Sequence, residues 1–144
     1  MSPCFIINVR NERVVLIVQV LKDELRHKIL LESEHLFLQR GYDRTSLQMI
    51  ADKVNISKSN LYHYFKNKEE LFYELTDSAA DGLKRMILRF RSMRFDLNMD
   101  AQEFRMLLTE EVLSLLLAEK YGLLLIMEQA NGTRYENLRP VMIE

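Results

Sequence analysis

The chain has 144 residues, the length of one ordinary domain or of a small domain with part of a second. Four glycines and two prolines are too few for turn-rich all-β architectures, while 48% hydrophobic and 28% charged residues exclude a disordered chain. The single cysteine, Cys4, excludes an internal disulfide framework and any multi-cysteine metal centre, and a net charge of -1 is uninformative until its distribution is read.

That distribution is uneven. Residues 22–68 carry nine bases and six acids; residues 69–144 carry nine bases and fourteen acids. From Arg44 to Lys68, five bases face one acid, Asp52. A compact basic block in a near-neutral chain is what a local phosphate site needs. A solvated helical face has the same composition.

Residues 1–13 show no periodicity and receive no function. The run Val14–Leu21 is apolar but far shorter than the ~20 residues of a membrane span. Arg10 and Arg13 before it imitate a signal peptide, yet no small-residue cleavage site follows. The Lys-Asp-Glu-Leu string at 22–25 is internal and is no retention signal. The expectation is a cytoplasmic protein with no membrane partner.

Val14, Val18, Leu21, Leu25, Ile29, Leu36 and Phe37 mostly step by three, four or seven, the spacing of one helix face. The first helix is expected from about Leu21 to Arg40, because the β-branched residues at 14–20 disfavour an earlier start. Gly41 ends it in the left-handed conformation open to glycine. Thr45-Ser46-Leu47-Gln48 has capping-box form, with Thr45 as the capping hydroxyl. Ser57 caps a second short helix and Asn67 a third, the latter with Glu69 and Glu70 placed for its dipole. Val54-Asn55-Ile56 leaves room only for a tight turn, and Asn55 tolerates positive φ there.

Leu71, Leu75, Ala79, Leu83, Ile87 and Phe90 then mark a helix of about six turns. Arg85, Arg89, Arg91 and Arg94 complement its C-terminal dipole. Asp100 and Glu103 restart a helix to about Glu119, which continues over Tyr121–Gln129 and stops at Asn131-Gly132. Thr133–Glu136 forms another capping box, soon disturbed by Pro140. No stretch alternates with period two, and there is no glycine-rich phosphate loop. The fold class is all-α.

Residues 45–68 read as a helix-turn-helix. Leu47, Ile50, Ala51 and Val54 form the inner face of its first helix, and Leu61 and Phe65 that of its second. With those two inside, Lys58, Ser59, Asn60, Tyr62 and His63 point outward or sideways. All can hydrogen-bond: asparagine reads adenine bidentately and lysine reaches guanine. The start of the helix and Lys68 add positive charge for phosphates.

Gly41-Tyr42, Thr45-Ser46-Leu47, Ile50-Ala51, Ile56-Ser57-Lys58, Leu61-Tyr62-His63-Tyr64-Phe65 and Lys68-Glu69-Glu70-Leu71 resemble the DNA-binding domain of TetR-type transcriptional regulators. The resemblance covers residues 22–75. It implies a ligand-responsive repressor that binds double-stranded DNA as a homodimer and responds to a small apolar effector. It implies phosphate contacts from Thr45 and Ser46 and a base or phosphate contact from Gln48. Lys58, Ser59 and Asn60 would face base edges, and Tyr62 the backbone or a thymine methyl. His63, Tyr64 and Lys68 would approach phosphates. Asn55 and Ser59 stand where the family usually, or often, has glycine, so operator preference does not transfer.

The expected organisation is an extension over 1–20, the helix-turn-helix domain over 21–68, and a helical ligand-binding and dimerisation domain over 69–144. The usual family member is longer, so the dimerising helices are expected to be incomplete. The alternative is a helical interaction protein derived from such a regulator that no longer binds DNA. No catalytic constellation stands out, and no enzyme activity, cofactor or metal is expected. His27 and His35 lie on nearly one helix face with Glu34 adjacent, but exposed helical residues explain them. Met86, Met93, Met99, Met106 and Met127 suit an adaptable apolar interior.

Overall fold

The computed structural model describes residues 9–93, 100–129 and 131–135. Those residues form five helices: α1 (Val9–Arg40), α2 (Leu47–Val54), α3 (Lys58–Leu61), α4 (Lys68–Met93) and α5 (Ala101–Gln129). No strand occurs among them, as the all-α reading requires. The predicted methionines Met93 and Met99, Glu136 and Pro140 have side chains outside the described residues.

The core forms where α1, α2, α3 and α4 meet. Ile29 and Phe37 of α1, Ile50 and Ala51 of α2, Leu61 of α3 and Leu71 and Phe72 of α4 are completely shielded from solvent. Phe72 packs edge-on against Phe37 at 5.5 Å and against Tyr42 at 4.9 Å, a preferred aromatic geometry. Two hydroxyls inside this core are satisfied within their own helices: Ser33 donates to the Ile29 carbonyl at 2.6 Å and Thr76 to the Phe72 carbonyl at 2.7 Å.

α1 begins twelve residues earlier than its periodicity predicts, and its leading half is unpacked. Val14, Val18 and Leu21, expected on the inner face, are exposed, as are Val15, Leu16, Ile17 and Val20. Helix propagation explains this: the packed half beyond Leu25 supplies the nucleus, and each further residue adds a hydrogen bond. α1 therefore runs unbroken through residue 20. Among the described residues no helix is long and apolar enough to cross a membrane.

α4 and α5 lie against one another, tied by the Arg89–Glu111 ion pair and by the Ser78 hydroxyl donating to Glu119. Asp100 starts α5 by accepting from the backbone of Gln102 and Glu103 at 2.6 and 2.8 Å. The break expected near Glu119 is present, with φ -125° and ψ 26° inside an otherwise helical run. Gly122 follows it at a close crossing. A Cβ there would lie 2.8 Å from the Ala79 Cβ and 3.0 Å from the Leu75 carbonyl oxygen. Leu125 and Ile126 beyond it are fully buried.

The segment after α5 turns at Gly132 and returns Arg134 and Tyr135 to α4. Arg134 pairs with Asp77 and stacks 3.7 Å from the Tyr73 ring centroid, while the Tyr135 hydroxyl donates to Asp77. Burial pulls the Asp77 carboxyl upward, but the hydrogen bonds from Tyr135 and Arg134 outweigh it and leave the pKa below the ordinary value. Burial, and then the bond to Asp77, push the Tyr135 phenol up to about 12. Nothing in the sequence foretells this cluster, whose partners stand 57 and 58 positions apart.

Candidate nucleic-acid interface

α2 starts one residue later than its capping box implies. Ser46 is the N-cap, and its hydroxyl accepts from the Met49 N–H at 3.2 Å. Thr45 lies just inside, 2% exposed, with its hydroxyl 2.8 Å from the Gly41 carbonyl and 3.2 Å from that of Leu36. Thr45 is thus removed from the surface set. Its O–H donates to the Gly41 carbonyl, just past the end of α1, where no helical N–H is available. Gln48 does not close the box either. It is exposed and donates to Asp52 at 2.8 Å.

The turn between the short helices is set by one backbone angle. Asn55 adopts φ 60° and ψ 47°, the left-handed region that asparagine visits more readily than bulkier residues. The next amide returns to α2, with Ile56 N–H donating to the Ala51 carbonyl at 3.0 Å. Ser57 then caps α3, its hydroxyl accepting from the Asn60 N–H at 3.1 Å, as the sequence predicts.

α3 has only four residues of regular helix. Tighter bonds follow, His63 N–H to the Asn60 carbonyl at 3.1 Å and Tyr64 N–H to the Leu61 carbonyl at 2.9 Å. The Phe65 N–H still returns to the Leu61 carbonyl at 3.1 Å, so Leu61 and Phe65, four apart and 0% and 1% exposed, share the face that meets the core. Lys58, Ser59, Tyr62 and His63 are exposed on the other side; Asn60 and Tyr64 are half-buried. Tyr64 packs against the core. The Lys58 ammonium lies 5.9 Å from the Tyr62 ring centroid. Neither Ser59 nor His63 is held by another described side chain. Of the expected reading set, Ser46, Gln48, Lys58, Ser59, Tyr62 and His63 are thus exposed on α2 and α3 or beside their ends, Asn60, Tyr64 and Lys68 are half-buried, and Thr45 is buried.

Lys68 differs from the other cations of the site. Its ammonium donates to the Tyr42 carbonyl at 2.7 Å and sits 4.1 Å from the Tyr42 ring centroid. Burial lowers its pKa from the usual lysine value, with Asp43 opposing. One of its three protons is committed, and the side chain ties the start of α4 to the α1–α2 loop. Asn67 caps α4 as predicted, accepting from Glu70 N–H at 2.7 Å. Tyr42, given no role in the sequence reading, is the platform that holds Lys68. Its signal is the Gly-Tyr pair at the end of α1.

Charge confines the surface. Glu69, Glu70, Glu74 and Asp77 line a groove of about 680 Å³ along α4, a setting that repels a polyanion. Lys53, Lys58 and Lys66 are exposed around α2 and α3. Among the described residues, no group of three or more His, Cys, Asp or Glu side chains is arranged to hold a metal.

Residues 29–75 match the description "Bacterial regulatory proteins, tetR family". This segment is similar to the amino-terminal domain of TetR-family regulators. Over 65 residues the chain is 34% identical to the biofilm operon icaADBC negative transcriptional regulator IcaR of Staphylococcus epidermidis, covering 45% of this chain and 35% of that protein. Over 62 residues it is 34% identical to the transcriptional activator FasR of Mycolicibacterium smegmatis, covering 43% of this chain and 28% of that one. The matches thus span about a third of those relatives.

Two solved structures share this arrangement of helices. The probable transcriptional regulatory protein RHA5900 aligns at TM-score 0.58 and 21% identity, over 81% of this chain and 62% of its own. NalD, the secondary repressor of the MexAB-OprM multidrug efflux pump in Pseudomonas aeruginosa, aligns at 0.54 and 24%, over 84% and 59%. At such identities the likeness concerns the fold alone.

Proposed function

We propose that this chain is a sequence-specific DNA-binding transcriptional regulator, a repressor rather than an enzyme, acting in the cytoplasm. One observation carries the reading. Within a single turn of α3, Leu61 is fully buried, while Lys58, Ser59 and Tyr62 face solvent together. A helix used only for packing gains nothing from hydroxyl, amide, phenol and ammonium groups on its outer side. These groups match the edges of a major groove and its flanking phosphates.

In the proposed mechanism, the core braces α3 from behind through Leu61 and Phe65. Asn60 and Ser59 meet base edges; Lys58 reaches guanine; Tyr62 meets the backbone or a thymine methyl. Ser46, Gln48, His63, the Tyr64 hydroxyl and the free protons of Lys68 contact phosphates. Two copies place two such helices on successive turns of the duplex, as two-fold helix-turn-helix dimers do. A small apolar effector enters the cavity of about 310 Å³ that Leu83, Met86, Ile87, Val112, Leu115, Leu116, Leu123 and Met127 line between α4 and α5. It selects among the relative positions of the two copies. The repressor sense follows IcaR; FasR, equally similar over the reading domain, is an activator.

The test is fluorescence anisotropy of the full chain on labelled duplex DNA at about 50 and 200 mM salt, with light scattering for stoichiometry. Binding is expected to fall steeply with salt as phosphate contacts release counterions. Negligible binding at the lower salt concentration would refute the proposal and favour a helical interaction protein that has lost its DNA site.

A further inference from the structure

The apolar cavity between α4 and α5 has a polar neighbour. A second cavity, of about 400 Å³, is lined by Gly82, Arg85, Arg89, Glu111, Ser114 and Glu119, among others. Met86 and Leu115 line both. Leu115 is the partition: its Cδ1 lies 2.5 Å from where a Cβ on Gly82 would stand. Since Gly82 has no side chain, Leu115 can settle against α4. The two spaces therefore form one amphipathic site, apolar at one end and charged at the other, separated only by flexible side chains.

The charges at the polar end are not equally available. Arg89 is paired with Glu111. Glu119 accepts the Ser78 hydroxyl, nearly two helical turns before Arg85 along α4. Arg85 lies between these levels, exposed, with one terminal nitrogen 3.8 Å from the Gly82 Cβ position. No carboxylate among the described residues forms an ion pair with it. It is the uncommitted cation at the mouth of an otherwise greasy pocket.

From this geometry we infer that the α4–α5 site takes an amphipathic monoanion, with its hydrocarbon body between Met86 and Met127 and its carboxylate on Arg85. The inference rests on the effector reading above and sharpens it to a ligand class. A cavity of 310 Å³ holds about ten groups of the ~30 Å³ that a water molecule occupies in the liquid. That sets the body at roughly eight to ten carbons. A guanidinium offers two parallel donors to a carboxylate, whereas an alcohol accepts at a single oxygen and an ammonium head accepts at none.

The experiment is calorimetric titration of the full chain with decanoate, decanol and decyltrimethylammonium, each below its aggregation limit, on wild type, Arg85→Gln and Arg85→Lys. Circular dichroism checks folding. Decanoate is expected to bind up to about five-fold tighter than decanol, the upper range of a single partly exposed ion pair. Arg85→Gln erases that preference without changing decanol affinity, and Arg85→Lys restores part of it. Equal affinity for decanoate and decanol overturns the anion inference while leaving an apolar effector site intact, as does a preference that survives in Arg85→Gln. Tightest binding of the ammonium overturns it in favour of Glu119. If wild type binds none of the three, the inference and the effector reading fall together. Anisotropy on DNA with the same sample reports the regulator reading independently.

Discussion

Thr45 provides the sharpest test of how the interface is built, because sequence and structure assign it different tasks. Replacing it by valine keeps the volume and removes the hydroxyl, so no cavity opens. The Gly41 carbonyl, 2.8 Å from that hydroxyl, loses its donor at a position where the side chain is 2% exposed. A buried polar group left without its partner costs about 1–3 kcal/mol. Removing the hydroxyl's own desolvation offsets part of this, so the net loss should be about 1–2 kcal/mol. With a urea dependence of about 1–3 kcal/mol per molar for a chain of this size, the midpoint should fall by roughly 0.5–1 M. DNA affinity, measured well below the unfolding transition, should be unchanged. Thr45→Ser keeps the donor and loses a buried methyl, so it should also be less stable and still bind normally. An unaltered urea midpoint for Thr45→Val, with affinity reduced more than five-fold, would refute the reasoning and return Thr45 to the phosphate contacts.

The reading face should respond differently. Asn60→Ala should lose about 1–3 kcal/mol of binding on an operator selected from random duplexes, with little change on unrelated DNA; a uniform loss on all sequences would count against base reading. Lys58→Ala removes a side chain with no ion-pair partner among the described residues, so stability should move by less than about 0.5 kcal/mol while affinity falls. Gly122→Ala should destabilise the chain by about 1–3 kcal/mol in thermal unfolding, because the Ala79 Cβ and the Leu75 carbonyl stand 2.8 and 3.0 Å from the new methyl. The ordinary helix preference for alanine predicts a gain instead, so the sign alone decides. Val18→Ala, on the unpacked start of α1, should leave the melting temperature where it was.

The Asp77–Arg134–Tyr135 cluster sets two pH limits for thermal stability. The Asp77 carboxyl titrates below its ordinary value in the folded chain, so its contribution is present above the unfolded pKa and is lost as pH falls through the folded one. The Tyr135 phenol is raised to about 12 from 10.0, so its contribution is full below pH 10 and is lost as pH rises toward 12. Tyr135→Phe should flatten the alkaline limb; an unchanged limb would mean that Tyr135 is not the titrating group.

How much of this was legible in the sequence depends on the distance over which each feature is decided. The caps at Ser57 and Asn67, the left-handed Asn55 and the burial of Leu61 and Phe65 are settled within a few residues, and all follow the sequence. The same holds for the exposure of Lys58, Ser59 and Tyr62, which is what remains once the inner face is fixed. Ser46 displaced Thr45 as cap because either hydroxyl can fill the role locally; the choice depends on which one fits under the end of α1, a tertiary fact. The start of α1 was misplaced for the opposite reason. The β-branched residues at 14–20 argued for a late start, yet the helix runs through them even though they are exposed and pack on nothing.

The second half of the chain was less legible because its features are contacts across α4 and α5. Met86 and Met127 were noted as an adaptable apolar interior, but a count of methionines does not say that Leu115 divides the space or that Gly82 makes room for it. Arg85 was grouped with Arg89 and Arg91 as a complement to the helix dipole. Helical position alone gives all three that role. The structure separates them by their partners, since Glu111 engages Arg89 and leaves Arg85 at the mouth of the cavity. Charge assigned by sequence position explains a helix; charge left over after pairing is what a ligand can use.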